Sequence, residues 1–407
     1  LLLALIACCA AAGSYAQEEV PAPPPREAPR PRDFGSSLRR LKWDEKKKAA
    51  VEIKSGKKGQ AGQEEEDVVR VETTLVACDV LVVDKDGRSV SGLTRDDFVI
   101  TEDGGPQKVA TFSLGGDAER PRSFVLVIDY SGSQLPYINN SIAAAKGLVD
   151  QLNPKDRMAV VTDDVELLVD FTRDRAKLKA ALEELRERAT AGRRLGRSRQ
   201  FCALLATLKE LVSDEERPII IFQTDGDELG ALRGSNPGAE RAGFGGRQFG
   251  IGDVFTAAQK SRTTIYTIIP GVRLVGYTPE QQLERARTIY INHREAWGEI
   301  EPGSREKLLS REPKDFAGYA DRWLRQQMAA SLMARATGGW TEFLERPEQA
   351  AEIYKRILKG INLRYVIGYY PTNKEHDGKL RKVRVEVRGH PDYTVVGRKA
   401  YYAPDPD

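Results

Sequence analysis

Two apolar runs, each ending at a carboxylate, organise the hydrophobic pattern of this chain. The first runs from Phe124 to Ile128, is long enough for a strand buried on both faces, and stops at Asp129. The second lies within Pro218 to Glu228, where a similar run ends at Asp225 and a turn glycine. Because the carboxyl ends of parallel strands lie along one edge of a sheet, we expect both carboxylates at the same edge.

Strand-like and helix-like stretches alternate around these two runs, between residues 121 and 360. This alternation predicts an α/β domain with a doubly wound, mainly parallel sheet covered by helices on both faces. Further strands are predicted at Met158 to Thr162, Val165 to Phe171 and Thr263 to Pro270. Helices are predicted at Tyr137 to Leu152, Arg173 to Arg188, from Ser198 onward and at Val254 to Lys260.

Shorter strand-like runs flank this domain, in an N-terminal β region (68–115) and a C-terminal β region (361–407). The first contains hairpin signals such as Asp86-Gly87, and in the second valines alternate with Arg and Glu, which indicates one solvated face. The N-terminal region alone is small for an independent domain. We therefore predict that the two regions pack together as one accessory β-sandwich.

Three insertions are expected at the same edge as the two carboxylates. One is a helical insertion (271–330), in which Thr278 and Gln281 form a capping box at a helix start; it either packs on its own domain or caps the edge for a partner. A glycine-rich stretch covers 230–252. Four arginines surround Ser198 in the sequence; they are Arg193, Arg194, Arg197 and Arg199. They either attract an acidic partner or form a solvated basic loop.

Hydroxyl side chains accompany the two carboxylates. Ser131 and Ser133 follow Asp129 at alternate positions, and Ser198 stands at the predicted N-cap of a helix between the two strands. With Asp225, these five side chains offer only oxygen atoms. Oxygen donors suit a hard cation such as Mg²⁺ rather than zinc or copper.

The set Asp129-x-Ser131-x-Ser133, Ser198 before a helix, and Thr224-Asp225-Gly226 resembles the metal-ion-dependent adhesion site of von Willebrand factor type A domains. The family usually has Thr where Ser198 stands, and serine keeps the oxygen. The resemblance implies Mg²⁺, or alternatively Mn²⁺ or Ca²⁺, at these residues, with an open position that an acidic residue of a protein partner fills. From Val69 to Pro404 the chain also resembles VWFA-related proteins typical of Acidobacteria, except after Gly271.

Other function classes find less support in the sequence. The three histidines, His293, His376 and His390, lie outside hydrolase and zinc-protease motifs, and there is no P-loop, so we predict a binding protein and not an enzyme. A Mg²⁺-dependent hydrolase or phosphotransfer enzyme stays as one alternative. A structural component of an envelope assembly stays as another.

The charge balance and the N-terminal sequence limit the partners and the compartment. A net charge of +3 and a pI near 8.5 fall short of the pI above about 9 that is typical of nucleic-acid-binding domains, so we expect no nucleic-acid partner. Residues 1–16 resemble a signal peptide that ends at Ser14-Tyr15-Ala16, which predicts export to the periplasm or the outside. An alternative is a lipoprotein anchored at Cys8. No later stretch reaches the roughly 18 apolar residues of a membrane span.

Residues 17–67 are Pro-rich and then charged, which predicts a disordered tether with at most a transient helix. Cleavage after Ala16 leaves Cys78 and Cys202 as the cysteines of the mature chain. We expect both as buried thiols that form no disulfide, because cysteine behaves as a small hydrophobic residue.

Overall fold

The computed structural model describes residues 34–53, 75–117, 119–191, 198–212, 217–232, 248–296 and 303–404. The predicted signal peptide, the Cys8 anchor and most of the predicted tether lie outside these ranges. Arg193, Arg194 and Arg197 also lie outside them, as does most of the glycine-rich stretch.

The described secondary structure alternates between helices and strands through most of the chain. The strands are β1 (Leu41–Asp44), β2 (Ala49–Glu52), β3 (Val76–Val83), β4 (Phe98–Glu102), β5 (Gly105–Gln107), β6 (Val109–Leu114), β7 (Arg122–Ile128), β8 (Arg157–Thr162), β9 (Glu166–Thr172), β10 (Arg217–Gln223), β11 (Thr264–Pro270), β12 (Thr341–Leu344), β13 (Tyr365–Tyr369), β14 (Leu380–Val387), β15 (Thr394–Val396) and β16 (Ala400–Tyr402). The helices are α1 (Ser36–Arg39), α2 (Leu135–Gln151), α3 (Arg175–Thr190), α4 (Gln200–Glu210), α5 (Ile251–Lys260), α6 (Pro279–Ala296), α7 (Ser304–Leu309), α8 (Ala317–Ala336) and α9 (Ala350–Asn362).

The central sheet has the strand order β12-β11-β10-β7-β8-β9. All neighbours in this sheet are parallel except β8 and β9, which are antiparallel. Helices α2, α3 and α9 pack on one face, and α4, α5 and the end of α8 pack on the other. Strand β7 is buried at every position because both faces of the sheet are covered. The prediction of a doubly wound, mainly parallel α/β domain is confirmed.

The flanking strands form two four-stranded antiparallel sheets, in the orders β15-β3-β13-β6 and β16-β14-β4-β5. Each sheet combines strands from before and after the central domain. Their inner faces share one apolar core, in which Val80 and Ile367 of the first sheet meet Ile100 and Val383 of the second. The predicted accessory β-sandwich is therefore present, built from both flanks of the chain.

A buried ion pair fixes the start of β7, the strand that leads to the candidate site. Arg122 Nη2 lies 2.6 Å from Asp156 Oδ2, and both side chains are fully buried. Arg122 Nη1 also donates to the backbone oxygen of Gly115 and to Oδ1 of Asn362, which lie at the borders of the β-sandwich. The pair thus connects the central sheet to the segments that enter and leave it.

The prediction of a tether is wrong for residues 34–53, which form α1 and the β1–β2 hairpin. The backbone nitrogens of Gly35 and Ser37 donate to the carboxylate of Glu210, and Lys209 pairs with Glu52. Leu41 is buried against the central domain. The segment is too short and too charged to show a hydrophobic period, and its stability comes from this packing.

The helical insertion packs on its own domain. Thr278 N donates to Gln281 Oε1 over 3.1 Å and Gln281 N to Thr278 Oγ1 over 3.4 Å, so the predicted capping box is present at the start of α6. Ala286 and Phe316 form a small apolar cluster within the insertion. Helix α8 continues past residue 330 into the core of the central domain, where Met333 is fully buried.

Cys78 and Cys202 are both buried and neither forms a disulfide in the described part of the chain, as expected. Burial raises the pKa of the Cys78 thiol to about 12. Over the same ranges, no helix is both long enough and apolar enough to cross a membrane.

Candidate functional site

Four of the five predicted site residues meet at the carboxyl edge of the central sheet. The Asp129 side chain is buried, and its Oδ1 accepts from Ser131 N over 2.8 Å. Ser131 Oγ lies 3.2 Å from Ser133 Oγ, which donates to Asp225 Oδ2 over 2.6 Å. A chain of polar contacts therefore joins Asp129 to Asp225 through the two serines.

Strand register brings these residues together. Strands β7 and β10 are parallel neighbours with Ile128 opposite Gln223, so the residues that follow both strands leave the sheet side by side. Asp129 N donates to Gln223 O over 3.1 Å and continues the ladder by one bond. After β10 and Asp225, the chain turns at Gly226, whose φ of 77° favours glycine. A Cβ there would also lie 3.0 Å from the backbone oxygen of Gln326 in α8.

Ser198 lies just before α4, but it is not the N-cap of that helix. The N-cap is Arg199, and the backbone nitrogens of Phe201 and Cys202 donate to the carboxylate of Glu228. A buried glutamate can cap two N–H groups and also complements the positive helix end, so it replaces the predicted serine cap. Ser198 Oγ is buried and has no hydrogen-bond partner among the described residues.

Gln200, which the sequence analysis did not single out, lies among the carboxylates. Its Nε2 donates to Asp129 Oδ2, to Asp225 Oδ1 over 2.8 Å and to Asp227 Oδ1 over 3.0 Å. Its Oε1 accepts from the Thr224 hydroxyl and, over 3.0 Å, from a backbone nitrogen. The Asp-Gly-Asp spacing after β10 could have revealed Asp227. A glutamine in the first turn of a helix carries no comparable signal.

The electrostatics of the site favour a positive group. Desolvation raises the pKa of Asp129 well above its ordinary value, and the charges of Asp163, Asp225 and Asp227 raise it further. The pKa of Asp227 is raised to about 8 by desolvation of its carboxyl and by Asp225 and Glu228, although much of the residue's surface is exposed. Within the part of the chain that the structure describes, the clustered carboxylates therefore repel one another and favour a positive group between them.

The donor set fits a hard divalent cation. Carboxylate and hydroxyl oxygens are the donors that Mg²⁺ and Mn²⁺ accept. No described residue supplies the buried Ser198 hydroxyl with the hydrogen-bond partner that a buried polar group normally has. The described ranges contain no ready-made group of three or more His, Cys, Asp or Glu metal ligands. The carboxylates instead surround the Gln200 amide at hydrogen-bonding distances.

Of the arginines predicted around Ser198, Arg199 is described. Its Nη2 donates to the backbone oxygen of Asp164 over 2.6 Å, and its backbone nitrogen donates to Asp163 O over 2.9 Å. This residue thus anchors the start of α4 to the end of β8.

Comparison with known protein families identifies one domain. Residues 124–228 match the family model of the von Willebrand factor type A domain. No curated protein matches the sequence.

Several solved structures are similar to this chain at low sequence identity. The vWF domain of the type V pili tip protein Mfa5 from Porphyromonas gingivalis is 16% identical, with a TM-score of 0.33, and the match covers 60% of this chain and 96% of that one. BatB from Bacteroides thetaiotaomicron is 13% identical, with a TM-score of 0.31 and coverages of 59% and 98%. Manganese-loaded Plasmodium vivax TRAP is 12% identical, with a TM-score of 0.29 and coverages of 76% and 100%. At TM-scores this low, none of the three supports a further conclusion.

The family match includes most of strand β7 and all of helix α4 and strand β10, which are the elements that carry the candidate site. All five predicted site residues lie inside it. The chain therefore contains a von Willebrand factor type A domain, whose matched part is residues 124–228.

Proposed function

We propose that this protein binds a protein ligand through a divalent cation at the edge of its von Willebrand factor type A domain. The cation is Mg²⁺, or Mn²⁺ or Ca²⁺ in its place. The observation that carries the proposal is the convergence of Asp129, Ser131, Ser133 and Asp225 on one edge. The Ser198 hydroxyl lies two residues before Gln200 and is buried without a hydrogen-bond partner among the described residues; it supplies the fifth oxygen.

Each side chain has a defined task in this proposal. Asp129 and Asp225 supply negative charge, and Ser131, Ser133 and Ser198 supply neutral oxygens. When bound, the cation supplies an open coordination position for an Asp or Glu of the partner. Gln134, which is buried beside the site, donates from Nε2 to Asp225 Oδ2 over 2.9 Å and orients that carboxylate.

The surroundings of the site favour a protein as partner. Leu135 follows the serine loop directly and is about half exposed, at 50% of its full surface. An exposed leucine beside a charged centre offers apolar contact area around a central polar contact, which is the usual arrangement of protein interfaces. The helical insertion lies next to the same edge, because α8 packs against Gly226.

A binding role is preferred to catalysis because no histidine contacts the two serines in the described ranges, and the carboxylate that accepts from Ser133 is itself a proposed metal ligand. Ser131 and Ser133 contact each other and Asp225. His390 stacks on Tyr393 in the β-sandwich. A Mg²⁺-dependent hydrolase and a structural component of an envelope assembly are the competing functions.

Export, with or without a lipid at Cys8, is part of the proposal, as is the absence of a nucleic-acid partner.

Water-proton relaxation of the Mn²⁺-loaded protein tests whether an open position exists. Mn²⁺ that keeps an exchangeable water enhances relaxation, and a carboxylate that takes this position lowers it. We expect a peptide with one glutamate to lower the enhancement, and the same peptide with glutamine to leave it unchanged. Equal effects of the two peptides would contradict the proposal.

A further inference from the structure

The carboxylates of the site already have a partner within the chain, the Gln200 amide. The side chain is fully buried, and Nε2 lies within hydrogen-bonding distance of Asp129, Asp225 and Asp227. An amide nitrogen carries two hydrogens, so it cannot satisfy three acceptors with full hydrogen bonds at once. The amide thus stands where positive charge is needed and supplies only part of it.

The orientation of this amide is fixed from its other end. Gln200 Oε1 accepts from Gly226 N over 3.0 Å and from the Thr224 hydroxyl. Exchanging Oε1 and Nε2 would set an oxygen against three carboxylates and an N–H group against the backbone N–H of Gly226. The contacts on both sides therefore select the orientation in which N–H groups face the carboxylates.

We propose that Gln200 is an internal competitor of the metal ion: its amide takes the position of the cation in the metal-free protein and must withdraw before a cation can bind. This inference rests on the proposed function, since it concerns the same site. A cation shared by Asp129 and Asp225 needs oxygens at about 2.1 Å for Mg²⁺. The amide nitrogen already occupies the space between those carboxylates, 2.8 Å from Asp225 Oδ1, so the two cannot be present together.

This competition has consequences for both states of the protein. In the metal-free state, the amide stabilises three clustered carboxylates that otherwise repel one another. On metal binding, the hydrogen bonds of Gln200 to the carboxylates are lost, and this loss weakens the apparent metal affinity. Gln200 thereby sets the metal concentration at which the site fills, and so the concentration at which a partner can bind.

Titration of Gln200→Ala and the wild type with Mn²⁺ tests the proposal, with Gln134→Ala as the matched control. Gln134 is a second buried amide of the site, but the carboxylate that it contacts is Asp225. We expect Gln200→Ala to bind Mn²⁺ at least about tenfold more tightly than the wild type, because charge-assisted hydrogen bonds no longer have to be broken. Gln134→Ala is expected to bind Mn²⁺ no more tightly than the wild type.

Thermal unfolding gives a readout that does not depend on partner binding. In chelator, Gln200→Ala is expected to melt at a lower temperature than the wild type. Saturating Mn²⁺ is expected to raise the melting temperature of Gln200→Ala by more than it raises that of the wild type. If this variant is recovered only with Mn²⁺, release of the metal into excess chelator replaces the titration. Slower release than from the wild type is then expected.

The possible results separate this inference from the proposed function. Weaker or unchanged Mn²⁺ binding by Gln200→Ala, with binding by the wild type, overturns the competitor role and leaves the metal site intact. Binding by Gln200→Ala alone supports the competitor role strongly. Absence of binding in both proteins overturns the inference and the proposed function together.

Discussion

Ser133 Oγ donates a hydrogen bond of 2.6 Å to Oδ2 of Asp225, although 92 positions separate the two residues in the sequence. The bond links the loop after β7 to the loop after β10. It exists because these two strands are parallel neighbours and both end at the same edge of the sheet. The polar loops of the candidate site are therefore held together by the order of strands in the central sheet.

Replacement of Asp225 by alanine is expected to abolish binding of Mg²⁺ and Mn²⁺ while leaving the fold intact. The carboxylate lies at the sheet edge, outside the apolar core, and its loss removes one of the two charged ligands. Calorimetric titration measures the metal, and far-UV circular dichroism checks the fold. Asp164→Ala is a suitable control, because Asp164 accepts from the Tyr130 hydroxyl at the same edge and is not a proposed ligand. Metal binding that survives in Asp225→Ala would exclude this residue as a ligand.

Ser198→Ala is expected to weaken metal binding several-fold without lowering the stability of the metal-free protein. The Ser198 hydroxyl has no hydrogen-bond partner among the described residues, so its removal breaks no bond and leaves no buried group unsatisfied. Ser198→Thr keeps the oxygen and is expected to bind metal like the wild type. Titration measures the metal affinity, and thermal unfolding in chelator measures the stability of the metal-free protein. Wild-type metal affinity in Ser198→Ala would show that the fifth oxygen comes from elsewhere.

In chelator, the stability of the protein is expected to fall as the pH rises from about 4 towards about 8. The pKa of Asp129 is raised in the folded state, and that of Asp227 rises from 3.8 to about 8. The folded state then binds more protons than the unfolded state, so unfolding becomes easier as the pH rises through this window. Denaturant unfolding at a series of pH values measures the effect.

The matched variant for this pH series is Asp227→Asn, which cannot titrate at that position. It is expected to lose less stability than the wild type across the same window, and saturating Mg²⁺ is expected to remove much of the loss in the wild type. An equal pH dependence of the two proteins in chelator would contradict the assignment.

Breaking the buried ion pair at the start of β7 is expected to destabilise the protein strongly. Asp156→Ala leaves the fully buried guanidinium of Arg122 without its carboxylate, which costs about 3–5 kcal/mol of unfolding free energy. Glu119→Ala removes a neighbouring surface ion pair with Lys155 and is expected to change stability by no more than about 0.5 kcal/mol. Urea unfolding compares the variants. Equal losses of unfolding free energy in Asp156→Ala and Glu119→Ala would show that the buried Arg122 pair contributes no more to stability than a surface pair.

The elements of the central domain could be predicted from the sequence because their signals are local. The sequence alone shows the apolar runs of β7 and β10 and the helical periodicity between them. Recognising these patterns does not require knowing which elements pack against them. Strand β12 was not predicted, since four residues with a glutamate among them give no buried-strand signal. The β1–β2 hairpin was missed because contacts with distant residues such as Glu210 hold its segment in place.

The candidate site was predicted only in part, for a similar reason. Asp129 and Asp225 follow apolar strands, and this position in the pattern marks them. Gln200 has no such mark, because its role depends on three carboxylates that come from other loops. The prediction of an N-cap at Ser198 was wrong because Glu228, 30 positions further along the chain, accepts the hydrogen bonds of the backbone N–H groups at the start of α4. Interactions set by tertiary structure lie beyond what local patterns can indicate.

Calorimetric titration of the protein with Mg²⁺ and with Mn²⁺, beside Asp129→Ala, tests the central claim most directly. Asp129 is the buried carboxylate at the end of β7, and its Oδ1 accepts from Ser131 N in the loop that carries two further proposed ligands. The account predicts one-site binding of the metal by the wild type and no binding by the variant. Equal binding by the two proteins, or none by the wild type and by Gln200→Ala, would contradict a metal site at this edge.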